Sequence, residues 1–298
     1  MKPSTSFTHQ QTMLRCPRRF FYRYRADRTP HLNGLVNLMS VRELGGHAVH
    51  SVLANAVRPI ADGERISDQT DVIREALGLF NFAVRQSVGL RPGMLTGHLQ
   101  VAETFNGQDC AESIAHWRDI IPVAMENGIR MMQYFSFRTD RDGYRLEAEK
   151  RATYRHRGRE HHFVMDVIIS DANTTVIDWK THEISEKDKG QVKTYQRSLL
   201  HSRNLSPTRL YGFAVDLLRG REEACHYRPI DDAFGPRGGH NPCGIYRPDA
   251  PILATGPQTE TDHYPAKPST EACGICPFAS ICPASFLTAS EQEVNCGI

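Results

Sequence analysis

Apolar residues follow a helical spacing through much of the first half of the chain. An apolar stripe on both sides of a glycine pair predicts a helix over 41–57. The stripe consists of Leu44, Val49, Val52 and Leu53. The same spacing, with few helix-breaking residues, continues over 69–90 and 111–137. We therefore expect residues 60–140 to be mostly helical and to serve as a scaffold or as a wall of a substrate channel.

From Tyr144 onward the pattern changes to the two-residue alternation of β-strands. The predicted strands are 144–154, 162–169, 174–180 and 209–217. A turn-forming cluster at 170–173 joins the second and third strands, which predicts a β-hairpin. A helix over 186–200 separates the third strand from the fourth. This order of elements predicts a mixed α/β core.

The composition is typical of a globular protein with a sizeable hydrophobic core. The chain has 298 residues, of which 40% are hydrophobic and 23% are charged. Its net charge of +2 does not by itself indicate a nucleic-acid-binding protein. The polar start lacks the apolar stretch of a signal peptide, and no apolar run reaches membrane-spanning length. We therefore expect a cytoplasmic protein, in which clustered cysteines bind metal more often than they form disulfides.

An acid and a lysine stand two residues apart in the apolar run of the third strand. Alternation places Asp178 and Lys180 on one face of this strand and Trp179 on the other. Asp166, on the preceding strand of the hairpin, can reach the same face. Two converging carboxylates repel each other unless a cation lies between them, and oxygen ligands suit Mg²⁺ or Mn²⁺. A lysine beside such an ion can orient or deprotonate a water that attacks phosphorus, although a surface ion pair is the alternative explanation.

Two predicted helices carry further candidates. His50 follows Gly46 in the pattern G-x-x-x-H-x-x-L, and its imidazole is a candidate metal ligand, with His47 as the competing choice. Gln191 and Tyr195 are four residues apart on the helix that follows the lysine strand, so they share one face. A polar surface histidine, an exposed amide and a half-buried ring are the alternatives.

Cysteines are grouped near the two ends of the chain. Cys16 lies near the start, and Cys273, Cys276 and Cys282 follow near the end with the spacing C-x2-C-x5-C. Four thiols suit an iron–sulfur cluster or zinc, and C-x2-C by itself fits zinc. Cys296 is the substitute ligand if one of the four does not bind. The other cysteines are expected to be free thiols, namely Cys110, Cys225 and Cys243.

Arginines are interleaved with aromatic residues over 15–28. Arginine side chains suit phosphate oxygens, and aromatic faces accept unstacked bases. The resulting candidates for DNA binding are Arg15, Arg18, Arg19, Tyr22 and Arg23. A helix with an aromatic core face and a solvated arginine face explains the same pattern equally well.

Taken together, these motifs resemble the RecB-type branch of the PD-(D/E)XK nucleases. They are most similar to its iron–sulfur members, which include the nuclease domain of AddB and the CRISPR-associated exonucleases that trim new spacers. The resemblance spans nearly the full chain. It is carried by Cys16–Tyr22, Gly46–Leu53, Asp166, Asp178–Lys180, Gln191, Tyr195 and the three late cysteines.

The resemblance implies a restriction-endonuclease-like core, with a mixed central sheet flanked by helices and a helical insertion at about 60–140. It also implies three sets of site residues. His50 rather than His47, Asp166, Asp178 and the backbone carbonyl of Trp179 would bind Mg²⁺ or Mn²⁺. Lys180, Gln191 and Tyr195 would complete the catalytic set. Cys16, Cys273, Cys276 and Cys282 would hold a 4Fe-4S cluster.

The predicted domain organisation follows from the positions of these motifs. Residues 1–40 form the N-terminal cluster segment with the arginine-aromatic helix. Residues 41–230 form the nuclease core. A glycine- and proline-rich excursion and the late cysteines occupy 231–298, which we expect to form one structural unit with 1–40.

The implied function is a metal-dependent DNA nuclease. By resemblance it would be an exonuclease acting on single-stranded ends in DNA repair, CRISPR spacer processing or phage defence. The resemblance also implies a helicase or a CRISPR integration complex as partner. Because the chain lacks a P-loop motif, any ATP-driven unwinding must come from another protein. The alternative from another class is a catalytically silent subunit that binds DNA or a helicase. RNA also remains a substrate class that the sequence alone leaves open.

The chain departs from the pattern of these nucleases at two places. Phe163 stands where a glycine usually precedes the second-motif aspartate, so we expect the hairpin to pack differently there. A glutamate is expected on the strand before the hairpin. Glu147 and Glu149 both fit that position, and the sequence does not decide between them.

Overall fold

The structure is a computed structural model that describes most of the chain. The described ranges are 7–26, 32, 34–62, 64, 68–96, 98–136, 144–156, 159–227 and 264–285. The predicted surface excursion from 231 lies mainly outside them, as do Cys243 and Cys296. The described residues fall into two compact units. The first includes residues 45–79 and 116–227, and the second includes residues 8–44, 80–115 and 264–285.

The secondary-structure elements are numbered here in chain order. The helices are α1 (Phe7–Arg15), α2 (Pro17–Tyr24), α3 (Val41–Ala61), α4 (Gln69–Ser87), α5 (Ala102–Phe105), α6 (Ala111–Ser136), α7 (Glu186–Arg203) and α8 (Thr270–Gly274). The strands are β1 (Leu38–Met39), β2 (Gln100–Val101), β3 (Arg145–His156), β4 (Arg159–Ser170), β5 (Thr174–Lys180), β6 (Leu210–Asp216) and β7 (Arg221–Ala224). Short 3-10 turns occupy Leu35–Asn37, Pro207–Arg209 and Ala279–Ile281.

A mixed sheet forms the centre of the first unit. Among the described residues it has five strands in the order β3-β4-β5-β6-β7. The pairs β3–β4, β4–β5 and β6–β7 are antiparallel, whereas β5 and β6 are parallel. The predicted mixed α/β core with a central sheet and flanking helices is therefore confirmed.

Helix α7 connects the two parallel strands and packs on one face of the sheet. It starts with a capping box, in which Ser185 and Asp188 satisfy each other's backbone N–H groups. It ends at Asn204, whose φ of 50° is the left-handed conformation that closes many helices. Its buried residues Val192 and Leu199 join the hydrophobic cluster of the sheet. Burial of this face fixes the orientation of the polar residues on the first two turns of the helix.

Helix α3 approaches its neighbours closely at its glycines. A Cβ atom on Gly45 would lie 2.0 Å from Trp117 Cε3, well inside normal contact distance. A Cβ on Gly46 would lie 3.2 Å from the hydroxyl of Thr181, the residue that follows β5. The glycine pair therefore allows α3 to lie against both α6 and the end of the lysine strand.

The second unit is built around aromatic residues. Phe21, Tyr22 and Phe278 belong to one buried cluster, against which Cys276 and Cys282 pack. The short strands β1 and β2 pair in parallel within this unit. None of the helices in the described parts of the chain has the length and hydrophobicity that crossing a bilayer requires.

The structure adds elements that the hydrophobic pattern does not predict. Strand β7, with the sequence Arg-Glu-Glu-Ala, is mostly exposed and has no apolar alternation. Strands β1 and β2 have two residues each. Within the predicted helical region, α4 and α6 are observed close to their expected positions. The domain boundaries proposed from sequence remain predictions.

Candidate active site

The end of β5 carries an acid and a lysine in close contact. Asp178 Oδ2 lies 2.6 Å from Lys180 Nζ, and both side chains are largely buried, with 3% and 11% of their surfaces exposed. Burial alone would lower the pKa of Lys180, but the carboxylates of Asp178 and Asp166 raise it above its ordinary value. Lys180 is therefore a fixed positive charge in this arrangement. A surface ion pair does not describe this contact.

A second carboxylate reaches the same place from β4. Asp166 Oδ2 accepts a 2.7 Å hydrogen bond from the backbone N–H of Trp179 and lies 3.4 Å from Nδ1 of His50. Burial opposes ionisation of both side chains. Their attraction overcomes it, lowering the pKa of Asp166 and raising that of His50. The structure thus brings His50 to the acids, whereas His47 is exposed and contacts Ser51 at 3.5 Å.

The two carboxylates repel each other across the site. Burial, together with the charge of Asp166, raises the pKa of Asp178 to about 6 despite the neighbouring Lys180. Although Lys180 Nζ is close, the buried Asp178 Oδ2 has no aligned hydrogen-bond donor among the described residues. A carboxylate oxygen in that state favours an additional cation.

The first turns of α7 supply the amide and the phenol. Gln191 donates from Nε2 to Asp178 Oδ1 at 3.2 Å and accepts from Lys180 Nζ at 3.2 Å. The same Nε2 donates to the hydroxyl of Tyr195. The Phe163 ring lies 5.8 Å from that of Tyr195 at a steep angle, so the residue that replaces a glycine packs against the site tyrosine. Gln191 therefore bridges the acid, the lysine and the tyrosine.

The two candidate glutamates of β3 have different environments. Glu147 lies 2.6 Å from Arg203 and 2.7 Å from Lys150, so cations already neutralise it. Glu149 instead has its pKa raised by burial and by the charge of Asp166, and His50 is also near it. Glu149 and Asp166 are left unpaired in the register of β3 and β4, between two regular pairs. Glu149 also has a φ of 48°. The backbone is therefore distorted at Glu149, the glutamate whose pKa is affected by the charge of Asp166.

Asp188 is a neighbour of the site that the sequence patterns did not reveal. It lies on α7 three residues before Gln191 and seven before Tyr195, so the three share one helical face. Its Oδ1 is 3.8 Å from Lys180 Nζ. The i, i+3, i+7 spacing is the sequence signal that indicates its place.

These residues form a donor set of the kind that Mg²⁺ and Mn²⁺ prefer. Two aspartates and a nearby glutamate supply oxygen atoms, and His50 supplies a nitrogen. Within the described ranges, no three His, Cys, Asp or Glu side chains are grouped closely enough to hold a metal ion. Instead, Lys180 and His50 balance the charges of the two aspartates. The residue types therefore suit Mg²⁺ or Mn²⁺, although the described side chains are not arranged around a metal ion.

The four candidate cluster cysteines line one cavity of the second unit. Cys16, Cys273, Cys276 and Cys282 surround it together with Arg15, Arg18, Arg19 and Lys267. Burial is the main cause that raises the pKa values of Cys276 and Cys282, and neighbouring thiols add to it. The charge of Arg19 lowers the pKa of Cys276, and that of Arg18 lowers the pKa of Cys282, without cancelling the rise. Thiolates are ligands of zinc and of iron–sulfur clusters, but no three of the described cysteines are grouped closely enough to hold a metal ion in this arrangement. Cys110 and Cys225 lie outside this cavity, and Cys225 is buried.

Several DNA-binding candidates on α2 have partners inside the second unit. Arg18 donates to the carbonyl of Tyr264 at 2.9 Å, and Arg23 donates to that of Leu38. Arg19 lies 3.5 Å from Glu43, and Tyr22 is buried at 5% exposure. These contacts favour the structural explanation of the arginine-aromatic pattern for these four residues. Arg15 is more exposed and lies at the edge of the cysteine cavity.

Comparison with known proteins identifies the family of the chain. The family model of the PD-(D/E)XK nuclease superfamily matches residues 4–283. A search of curated proteins finds no match.

Proposed function

The chain belongs to the PD-(D/E)XK nuclease superfamily, and we propose that it hydrolyses DNA phosphodiester bonds at the site around Asp166, Asp178 and Lys180. Members of this superfamily are generally nucleases that use Mg²⁺ or Mn²⁺. One observation carries the proposal. Two buried aspartates from adjacent strands converge beside a buried lysine, and Oδ2 of Asp178 lies 2.6 Å from the lysine Nζ.

Each residue has a definite role in this proposal. Asp166 and Asp178 would hold the divalent ion, with His50 and Glu149 beside them. Such an ion supplies positive charge to a phosphate and an acidified water. Lys180, held as an ammonium, stabilises the charge that develops on the phosphate and orients the attacking water. Gln191 orients Lys180 and Asp178 by a hydrogen bond to each. Tyr195 is held by a hydrogen bond from Gln191 and by the ring of Phe163.

The finer parts of the proposal rest on the resemblance to RecB-type nucleases. We propose an exonuclease that acts on single-stranded ends and works with a helicase or an integration complex. The roles to which this activity belongs are DNA repair, CRISPR spacer processing or phage defence. The charged state of the acids and lysine supports catalysis over a silent binding subunit, because a binding role requires no buried carboxylate pair.

The cysteine cavity supports a second proposed feature. We propose that Cys16, Cys273, Cys276 and Cys282 hold a 4Fe-4S cluster that staples the N-terminal helix to the late cysteine segment within the second unit. The support is that all four line one cavity with basic side chains beside them. Positive charges there offset the negative charge of four thiolates.

The first experiment measures hydrolysis of labelled DNA by anaerobically purified protein. Linear and circular DNA, each single- and double-stranded, are incubated with Mn²⁺, Mg²⁺ or a chelator. We expect metal-dependent cutting of linear single strands. Lys180→Met, which keeps the length of the side chain and removes its charge, should lower kcat by about 100- to 1,000-fold. Lys189→Met is the matched control, because this lysine pairs with Glu186 and Glu223 outside the site.

The outcomes of this experiment are distinct. Unchanged cutting by Lys180→Met would exclude the proposed role of that lysine. Cutting of circular single strands would identify an endonuclease, and cutting of RNA would change the substrate class. Binding of DNA without any cutting would favour the silent subunit.

A separate experiment tests the cluster. The anaerobically purified protein should be brown and contain iron and acid-labile sulfide. Cys276→Ser should lose both, whereas Cys225→Ser, which changes a buried thiol outside the cavity, should keep both. Zinc without sulfide would replace the cluster with a zinc site.

A further inference from the structure

The first turn of α7 holds a carboxylate whose two oxygens have different partners. Asp188 Oδ2 accepts hydrogen bonds from the backbone N–H of Ser185 at 2.9 Å and from the Ser185 hydroxyl. The same oxygen is 3.3 Å from Nε2 of His182. Oδ1 is directed away from these groups and is 3.8 Å from Nζ of Lys180. One oxygen therefore anchors the carboxylate, and the other faces the lysine.

This carboxylate stays ionised. Burial opposes its charge, but hydrogen bonds from His182 and Ser185, together with the charge of Lys180, lower the pKa of Asp188 well below its usual value. It is thus a permanent negative charge beside the lysine at any pH at which a nuclease works.

Lys180 is surrounded by three acceptors. Asp178 Oδ2 is 2.6 Å from Nζ, Gln191 Oε1 is 3.2 Å away, and Asp188 Oδ1 is 3.8 Å away. Gln191 Oε1 accepts a hydrogen bond from this ammonium, whereas the two carboxylates hold it by charge, Asp188 from just beyond hydrogen-bond distance. Asp178 is also a proposed metal ligand, and its charge is shared once an ion and a phosphate are present. A second anion, together with the Gln191 amide oxygen, would then hold Lys180 in place.

We propose that Asp188 is a positioning residue for Lys180, and that the backbone N–H of Ser185 and the imidazole of His182, both of which remain in Ser185→Ala, hold its carboxylate in the orientation that performs this role. The inference rests on the proposed nuclease function. In it, Asp188 touches neither the substrate nor the metal and acts only through the lysine. The side chain of His182 is 37% exposed, so the network runs from the buried lysine to the solvent.

The competing explanation is that Asp188 only caps the helix. Two substitutions separate the explanations. Asp188→Asn keeps an oxygen that can accept from Ser185 but removes the charge that faces Lys180. Ser185→Ala weakens the capping box but leaves the Asp188 carboxylate in place.

The test combines kinetics, thermal unfolding and NMR of the full-length protein. Asp188→Asn should lower kcat for DNA cleavage by about 10- to 100-fold with little change in KM, as found for groups that orient a site residue. Its thermal midpoint should fall no more than that of Ser185→Ala. Ser185→Ala should lose thermal stability and retain kcat. The ¹⁵Nζ resonance of Lys180, assigned by its absence in Lys180→Met, should shift in Asp188→Asn and not in Ser185→Ala.

Three results would overturn the proposal. One is wild-type kcat in Asp188→Asn, and another is an equal loss of kcat in Ser185→Ala. The third is an unchanged Lys180 resonance in Asp188→Asn. If the wild-type protein does not cleave DNA, the nuclease proposal fails by itself, and the resonance alone then decides whether Asp188 holds Lys180.

Discussion

Gly45→Ala should lower the stability of the protein through overpacking, although alanine by itself favours a helix. In Gly45→Ala, the new Cβ would lie 2.0 Å from Cε3 and 2.3 Å from Cδ2 of Trp117. Normal carbon–carbon contact needs about 3.5–4.0 Å, so either the ring or α3 must move. Overpacking of this kind costs about 1–3 kcal/mol, whereas alanine gains about 1 kcal/mol over glycine in a helix. We expect a net destabilisation of about 1–2 kcal/mol, because Trp117 is 5% exposed and has little room.

Gly78→Ala on α4 is the matched control for this prediction. A Cβ there would meet nothing within 4 Å, so the same substitution should stabilise by up to about 1 kcal/mol. Urea unfolding of both variants measures the difference. Because α3 also carries His50, Gly45→Ala should reduce Mn²⁺-dependent cleavage even where the protein is folded, since small displacements of a site residue have large effects. Equal stability of the two variants would refute the packing argument.

Three further predictions concern the acids. Glu149→Gln should lower the rate of DNA cleavage at least about tenfold. Glu147→Gln should keep the wild-type rate but lose about 1 kcal/mol of stability, because its ion pairs are removed. The reverse ranking of the two rates would assign the site glutamate to Glu147. Burial favours the neutral form of Glu147, but Lys150 and Arg203 outweigh it and lower the pKa of this carboxyl. The free energy of unfolding should therefore differ fully between wild type and Glu147→Gln above the ordinary carboxyl pKa. This difference should vanish as the pH falls through the lowered pKa. Mn²⁺ at 100 times its Kd should stabilise the wild type by about 2.7 kcal/mol and raise its thermal midpoint. The midpoint of Asp178→Asn should not change. An equal rise in both proteins would place the ion elsewhere.

The central strand and its motif were predictable from sequence. The β-rich, apolar run over 174–180 predicts β5 with its observed bounds, and the alternation of side chains along a strand places Asp178 and Lys180 on one face. The position of His50 rather than His47 at the acids was expected from family resemblance alone. Local pattern could not decide between them, because both lie on one helix and differ only in which neighbour they meet.

Other parts of the site depend on contacts that a linear pattern does not contain. The choice between Glu147 and Glu149 follows from a left-handed backbone at Glu149 and from the cations around Glu147. The arginines of α2 resembled a phosphate-binding surface in sequence. In the structure, distant carbonyl and carboxylate groups accept from them, and chain separation hides such partners.

Most of the proposed catalytic residues lie in one short stretch of the chain. Residues 178–195 form the end of β5 and the first half of α7, and they include the lysine, one acid, the amide and the tyrosine. Their mutual geometry depends on the single connection between β5 and α7, which are consecutive elements. In a deep mutational scan, substitutions inside this stretch should abolish activity while the protein remains abundant. Substitutions in the hydrophobic clusters should instead lower abundance and activity together.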